Sequence, residues 1–147
     1  LLEKNPSSVE AHYLIAANYA ELGLLDRAVT HFQRTVELNP KLDIATIQYG
    51  LLLTALDRTD EANTVLDLIV DDETQRPLLD FALGLRALIA DDKSLASEHI
   101  NKGIAANHEN AALNDDFGKI LDVMNEETYG ESSSTHQYLL STYNQKH

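Results

Sequence analysis

The sequence predicts an all-α fold built from repeated antiparallel helix pairs, the architecture of an α-solenoid. The prediction depends on three sets of residues that recur every 34 positions along the 147-residue chain. The first set is small: Ala16, Gly50, Gly84 and Gly118. The second set is alanine: Ala28, Ala62 and Ala96. The third set is large and apolar: Ile15, Tyr49, Leu83 and Phe117. A fixed period of this length is typical of stacked helical repeats.

The glycines of the first set add a packing argument. Three of the six glycines in the chain fall in this set. Each lies inside an apolar helical pattern, where glycine costs about 1 kcal/mol relative to alanine. Because that cost recurs at one position of the repeat, we expect the two helices of a pair to approach closely there.

The first helix pair lies between Val9 and Pro40. Ser7 and Glu10 form an S-x-x-E capping box, which predicts a helix that runs to about Glu21 and is broken at Gly23. A second helix is predicted over about 26–38, before the Asn-Pro dipeptide at 39–40.

Later helices follow from the same pattern. They are predicted over about 42–56, 60–70, 77–90, 93–106 and 110–124, with Pro77 as a first helical residue. An acidic and polar link at 71–76 separates the second pair from the third, and 125–134 is acidic and serine-rich. Tyr138, Leu139, Leu140 and Tyr143 predict a short helix over about 134–144. That helix either covers the last apolar face as a cap or lies in the groove as a pseudo-ligand.

The repeat resembles the tetratricopeptide repeat, whose pattern is W-x2-L-G-x2-Y, then A-x3-F, then P. At these positions the first unit has His12, Ile15, Ala16, Tyr19, Ala28, Phe32 and Pro40. The position of the tryptophan departs from the pattern and holds His12, Thr46, Asp80 and Asn114. The resemblance covers about residues 1–124. It implies a right-handed superhelix of about three and a half to four repeats plus a C-terminal capping helix.

The repeat register divides the chain as a single domain. Residues 1–6 align with the end of a preceding repeat, so we expect the chain to be a fragment of a longer protein. Repeats follow at 7–40, 41–74 and 75–108, with the first helix of a fourth repeat at 109–124 and a polar linker with the capping helix at 125–147.

Composition and motifs argue against several classes of function. A formal net charge of −13 with only 11 Lys and Arg disfavours a nucleic-acid ligand. The absence of cysteine excludes disulfides and thiolate metal sites. His31 and His99 are expected on the solvated outer surface, and no metal, cofactor or catalytic constellation is predicted, so we expect no enzyme. The longest apolar stretch, 77–90, is too short to span a membrane. The compartment stays open, with the cytoplasm favoured over a periplasmic or membrane-tethered location.

The resemblance also implies where a ligand binds. In tetratricopeptide repeats the first helix of each pair lines a concave peptide-binding groove. By register, the predicted groove consists of Tyr13, Ala17, Ile47, Gln48, Leu51, Phe81, Leu85, Asp115, Asp116, Lys119 and Asp122. The apolar members serve as anchors unless they pack between neighbouring units, and the aspartates form an acidic flank. These residues favour an amphipathic helix or extended peptide of a partner protein, and a basic end on that ligand would match the acidic flank. The alternatives are that the chain self-associates into a homo-oligomer, or that it is a regulatory arm of an enzyme whose catalytic part lies before Leu1.

Overall fold

A computed structural model describes residues 8–72 and 76–126, together with Gln137, Leu139, Leu140 and Tyr143. Within this part of the chain there are seven helices and no strands: α1 (Val9–Glu21), α2 (Leu25–Leu38), α3 (Asp43–Ala55), α4 (Thr59–Val70), α5 (Leu79–Ile89), α6 (Lys93–Ala106) and α7 (Ala111–Glu126). Gln137, Leu139, Leu140 and Tyr143 are also helical. The predicted preceding repeat at 1–6, and most of the linker and the C-terminal helix, lie outside the described residues.

Neighbouring helices pack in pairs, as the sequence predicts. The main contacts join α1 to α2, α3 to α4 and α5 to α6. The second helix of each pair then contacts the first helix of the next, and α3 also packs on α5. The all-α fold and its paired helices are therefore confirmed.

The turns inside the pairs repeat in backbone conformation. One residue in each turn has a positive φ: Gly23 (76°), Asp57 (61°) and Asp91 (61°). In the first turn the Gly23 N–H donates to the Ala20 carbonyl (3.1 Å), and the Leu24 N–H donates to the Tyr19 carbonyl (2.9 Å). The same two bonds close the turns at Asp57 and Asp91. This is the Schellman arrangement, in which glycine or a short polar residue takes the left-handed position. The period of 34 is thus present in the backbone as well as in the sequence.

The small-residue positions explain how closely the paired helices approach. A Cβ atom added to Gly50 would lie 2.9 Å from Leu66 Cδ2, and one added to Gly84 would lie 2.9 Å from Ile100 Cγ1. At Gly118, however, an added Cβ would meet no described atom within 4 Å. The expected close contact therefore occurs at Gly50 and Gly84, and the expectation is wrong for Gly118.

Two helix starts differ from the prediction. The side chain of Ser8, rather than Ser7, accepts the hydrogen bond from the Ala11 N–H (3.1 Å) at the start of α1; Ser7 lies outside the described residues. Pro77 is not a first helical residue. It occupies the second position of a turn that the Leu79 N–H closes onto the Arg76 carbonyl (3.1 Å), a position that its fixed φ suits.

One buried cluster runs through all seven helices and includes Leu139 and Tyr143. Aromatic rings mark its course. The centroids of Phe32 and Tyr49 lie 6.2 Å apart, and those of Phe81 and Phe117 lie 4.5 Å apart. Because the core passes from pair to pair, each pair buries the apolar face that its neighbour would otherwise expose.

A charged contact ties the second pair to the third. The Arg76 side chain, 13% exposed, donates to the carboxylates of Asp43 at the start of α3 and of Asp72 after α4. Arginine suits this position because its planar guanidinium can hold two carboxylates at once. The contact fixes the polar link between the pairs.

Candidate functional site

A cleft of about 270 Å³ lies between α1, α3 and α7. Its walls come mainly from the first helices of the pairs: Tyr13, Leu14, Ala17, Ala20, Glu21, Phe32, Gln48, Leu51, Ala112, Asp116 and Tyr143. We call these residues the cleft. Five of them belong to the groove predicted from the sequence, namely Tyr13, Ala17, Gln48, Leu51 and Asp116. The structure therefore brings the predicted residues of α1, α3 and α7 together.

Polar groups from three helices meet at the cleft. Burial raises the pKa of the Tyr13 phenol, a hydrogen bond from Gln48 opposes this shift, and the Asp116 carboxylate adds to it. The phenol of Tyr13 therefore keeps its proton at neutral pH. Tyr13 lies on α1, Gln48 on α3 and Asp116 on α7, so these groups couple the first, second and fourth units.

Gln48 also carries an unsatisfied acceptor. Its Oε1 atom is buried and has no hydrogen-bond partner among the described residues. A buried acceptor without a partner costs about 1–3 kcal/mol. A donor placed in the cleft would remove that cost, so Gln48 favours a ligand that brings an N–H or O–H group.

Three predicted anchors are not accessible. Ile47, Phe81 and Leu85 are each 0% exposed. The ring of Phe81 packs on Phe117 of α7 and against Gly103 of α6. Ile47 and Leu85 lie on α3 and α5, which pack directly on each other, so all three side chains belong to the core instead of lining an open groove. Leu51, 3% exposed, reaches the cleft only with its edge.

The predicted acidic flank is divided. Asp116 is half-buried and lines the cleft, whereas Asp115, Lys119 and Asp122 are exposed on α7 and lie outside its lining. Glu21, at the end of α1, contributes a second carboxylate to the cleft. The repeat register also places Ala20 and Glu21 on the groove face of the first helix, beside Tyr13 and Ala17.

Tyr143 supplies part of the cleft wall, and Leu139 joins the core beside it. Leu139 is fully buried, and Tyr143 is 6% exposed. Burial, together with the carboxylates of Asp116 and Glu21, raises the pKa of the Tyr143 phenol far above its usual range. The aromatic and leucine pattern of this segment predicted a short helix but left open whether it lies on the end of the array or in the groove. Tyr143 lies at the cleft.

Two histidines expected to be solvated have partners. His31 Nδ1 lies 3.1 Å from His12 Nδ1, and His99 Nδ1 lies 3.0 Å from Asp80 Oδ1. His31 and His99 are half-buried, so the expectation of a solvated surface was wrong for both. In the described part of the chain, no group of three or more His, Cys, Asp or Glu side chains could hold a metal ion.

A second cleft, of about 450 Å³, lies where α3 and α5 begin and where α6 joins α7. The side chains of Asn107 and Asp43 in its wall already have partners. The Asn107 amide donates to the Asn110 carbonyl (2.9 Å) and to Asn114 Oδ1 (2.8 Å), and Asp43 pairs with Arg76. These bonds stabilise the link between α6 and α7, so we assign this cleft a structural role.

No family model matches the chain, and no curated protein or solved structure matches it. Among the described helices, none is both long and apolar enough to cross a membrane.

Proposed function

We propose that this chain is a tetratricopeptide-like superhelix that acts as a non-enzymatic protein-interaction module. Its ligand is a peptide or amphipathic helix of a partner protein, held at the cleft. The observation that carries this proposal is the convergence of Tyr13, Gln48 and Asp116 from three different helices on one open cleft.

The lining of the cleft defines the ligand. Tyr13, Ala17 and Leu51 offer apolar surface, and the buried Gln48 Oε1 atom lacks a donor among the described residues. Clefts with apolar walls and a few placed polar groups are the usual form of a binding site. The carboxylates of Glu21 and Asp116 favour a ligand that carries positive rather than negative charge near the cleft.

The recurrence of the helix pairs supports the architecture behind this proposal. The left-handed turn residues, the buried alanines and the close approaches at Gly50 and Gly84 all follow the period of 34. Arrays of such pairs present extended surfaces for binding, because each unit adds one helix to the same side.

The test is partner capture from a lysate of the source cells with the chain and with an Ala17→Glu variant. Ala17 lines the cleft on α1 without being fully buried, so a glutamate there fills the cleft and adds a charge. The matched control is Ala105→Glu, which makes the same change at an exposed position of α6. We expect the partner to be lost only with Ala17→Glu, while circular dichroism shows equal helix content in all three proteins. Equal capture by all three would reject the cleft as the binding surface.

Self-association is the second candidate. Three leucines of the first unit are exposed: Leu14 (58%), Leu22 (60%) and Leu24 (42%). Leu22 and Leu24 flank the turn between α1 and α2, and exposed apolar patches mark interaction sites. If this candidate is correct, the mass measured by sedimentation rises with concentration, and a Leu22→Ser/Leu24→Ser variant stays monomeric. A monomeric wild-type chain at all concentrations would reject it.

A further inference from the structure

The C-terminal residues Leu139 and Tyr143 pack like the anchors of a docked helix. They are helical and four positions apart, so they project from one face of their helix. Leu139 is 0% exposed and Tyr143 is 6% exposed, and both join the buried cluster of the seven helices. A leucine and a tyrosine at this spacing are the kind of pair with which an amphipathic helix enters a groove.

Tyr143 lies near both α1 and α7, the first and last of the seven described helices. It lines the cleft together with residues of α1, α3 and α7, and the carboxylates of Glu21 and Asp116 lie near its phenol. The protonated phenol is a hydrogen-bond donor in a cleft that is rich in acceptors. The contact is therefore with the proposed ligand surface and not only with the end of the array.

Charge distinguishes this segment from the rest of the chain. The chain carries 24 acidic residues, yet none occurs in 132–147, the longest stretch without Asp or Glu. The same stretch contains Lys146, His136 and His147. The segment is thus complementary in charge to the carboxylates at the cleft, as expected for a ligand.

The fit of the segment is incomplete. About 270 Å³ of the cleft remains open beside Tyr143, and the buried Gln48 Oε1 atom lacks a donor within the described residues. Protein interiors are normally close-packed, with few voids larger than a water molecule. A longer or better-matched helix would fill more of the cleft and could satisfy Gln48.

We propose that Leu139 and Tyr143 occupy, in the same molecule, the site at which the partner helix docks. This inference rests on the proposed function and deepens it. It assigns the partner as an amphipathic helix with a large aliphatic residue, a tyrosine four positions later, and no acidic residue nearby. The C-terminal segment competes with that helix and must leave before it binds.

The experiment uses a fluorescein-labelled peptide of residues 134–147 and measures its anisotropy on titration with full-length proteins. The proteins are the intact chain and a Leu139→Ser/Tyr143→Ser variant, whose own segment no longer competes. Because a tethered ligand acts at an effective concentration on the order of millimolar, we expect the variant to bind the peptide at least about tenfold more tightly. Ala17→Glu added to the variant abolishes binding, and Ala105→Glu leaves it unchanged. A peptide with the same two serine substitutions does not bind.

Several outcomes would overturn the inference. One is a double variant that keeps its helix content yet binds the peptide no better than the intact chain does. Another is a double variant that loses helix content, which would make the segment a structural cap. A dimeric intact chain that the double variant converts to monomer would assign the segment to a second copy. These results leave the proposed function intact if the Ala17→Glu variant still fails to capture the partner. If instead the double variant binds the peptide tightly but Ala17→Glu captures the partner as well as the wild type does, the proposed function is rejected, whereas the docking of the segment in the cleft is not.

Discussion

At the scale of single residues, one position of the repeat joins the two helices of a pair through polar side chains. His12 on α1 contacts His31 on α2, with 3.1 Å between their Nδ1 atoms. Two pairs later, at the same spacing of 19 residues, Asp80 on α5 contacts His99 on α6. In the pair between them the equivalent residues are Thr46 and Val65. The repeat therefore tolerates both polar and apolar side chains here.

His31 gives a prediction about stability and pH. Burial and the nearby His12 lower the pKa of His31. Since the folded state then binds a proton less readily than the unfolded state, the unfolded state holds more protons as pH falls below about 6.5, and stability falls with it. The His12–His31 contact also requires one neutral acceptor nitrogen. We expect the free energy of unfolding, measured in urea, to decrease from pH 7.5 to 5.

A His31→Val variant is the control, because valine is the residue that the second pair uses at this position. The decrease between pH 7.5 and 5 should be smaller in this variant than in the wild type. Glu37 and Arg34 also line the surface beside the two histidines, and neither changes in the variant. An equal pH dependence in both proteins would show that His31 does not contribute.

At the scale of helices, the glycines distinguish a packing requirement from a repeated residue. An alanine at Gly84 would place its Cβ 2.9 Å from Ile100 Cγ1, whereas an alanine at Gly118 would meet no described atom within 4 Å. We expect Gly84→Ala to destabilise the chain by about 1–3 kcal/mol through overpacking. Gly118→Ala should stabilise it by up to about 1 kcal/mol, because alanine is the better helix former. Urea unfolding of both variants tests the two expectations. A loss of stability in Gly118→Ala would contradict the absence of a described neighbour within 4 Å of the added Cβ.

The sequence predicted the helices well because small and apolar residues recur at a fixed spacing of 34, and α6 begins and ends as expected. It could not distinguish Gly118 from Gly84, since the repeat spacing shows where a small residue recurs but not which side chain of a neighbouring helix faces it. The same limit applies to the site. Periodicity places Ile47 and Leu85 on the inner face of their helices, but only the packing of α3 on α5 decides that both are covered. Tyr143 was predictable as part of a helix, and its contact with the cleft required the fold.

At the scale of the whole molecule, the charge balance opposes compact folding. The chain carries 24 acidic and 11 basic residues, for a formal net charge of −13. Such a charge destabilises the folded state through self-repulsion. At 0.1 M salt this repulsion is largely screened between exposed charges more than about 10 Å apart. An arginine of one unit that pairs with carboxylates of its neighbour therefore offsets part of this repulsion at a boundary between units. Arg76 is one such residue, because it joins Asp43 to Asp72.

Arg76→Gln tests this role. The substitution changes the net charge from −13 to −14 and leaves the carboxylates of Asp43 and Asp72, both in the second unit, without the cation of the third unit that pairs with them. We expect a loss of about 1 kcal/mol at 0.05 M NaCl, the upper end of what ion pairs near the surface contribute. The loss should shrink at 0.5 M NaCl, where the repulsion between the carboxylates is screened. Urea unfolding at the two salt concentrations measures both values.

Arg34→Gln is the matched control for this last prediction. It makes the same change in net charge, but Arg34 pairs only with Glu37 in the same helix, and both side chains are about half exposed. If Arg76 acts by joining two units, its variant loses more stability at low salt and recovers more at high salt than the Arg34 variant does. Equal responses in the two variants would mean that overall charge, rather than the contact between units, sets the salt dependence. The comparison therefore separates a local contact from the field of the whole chain.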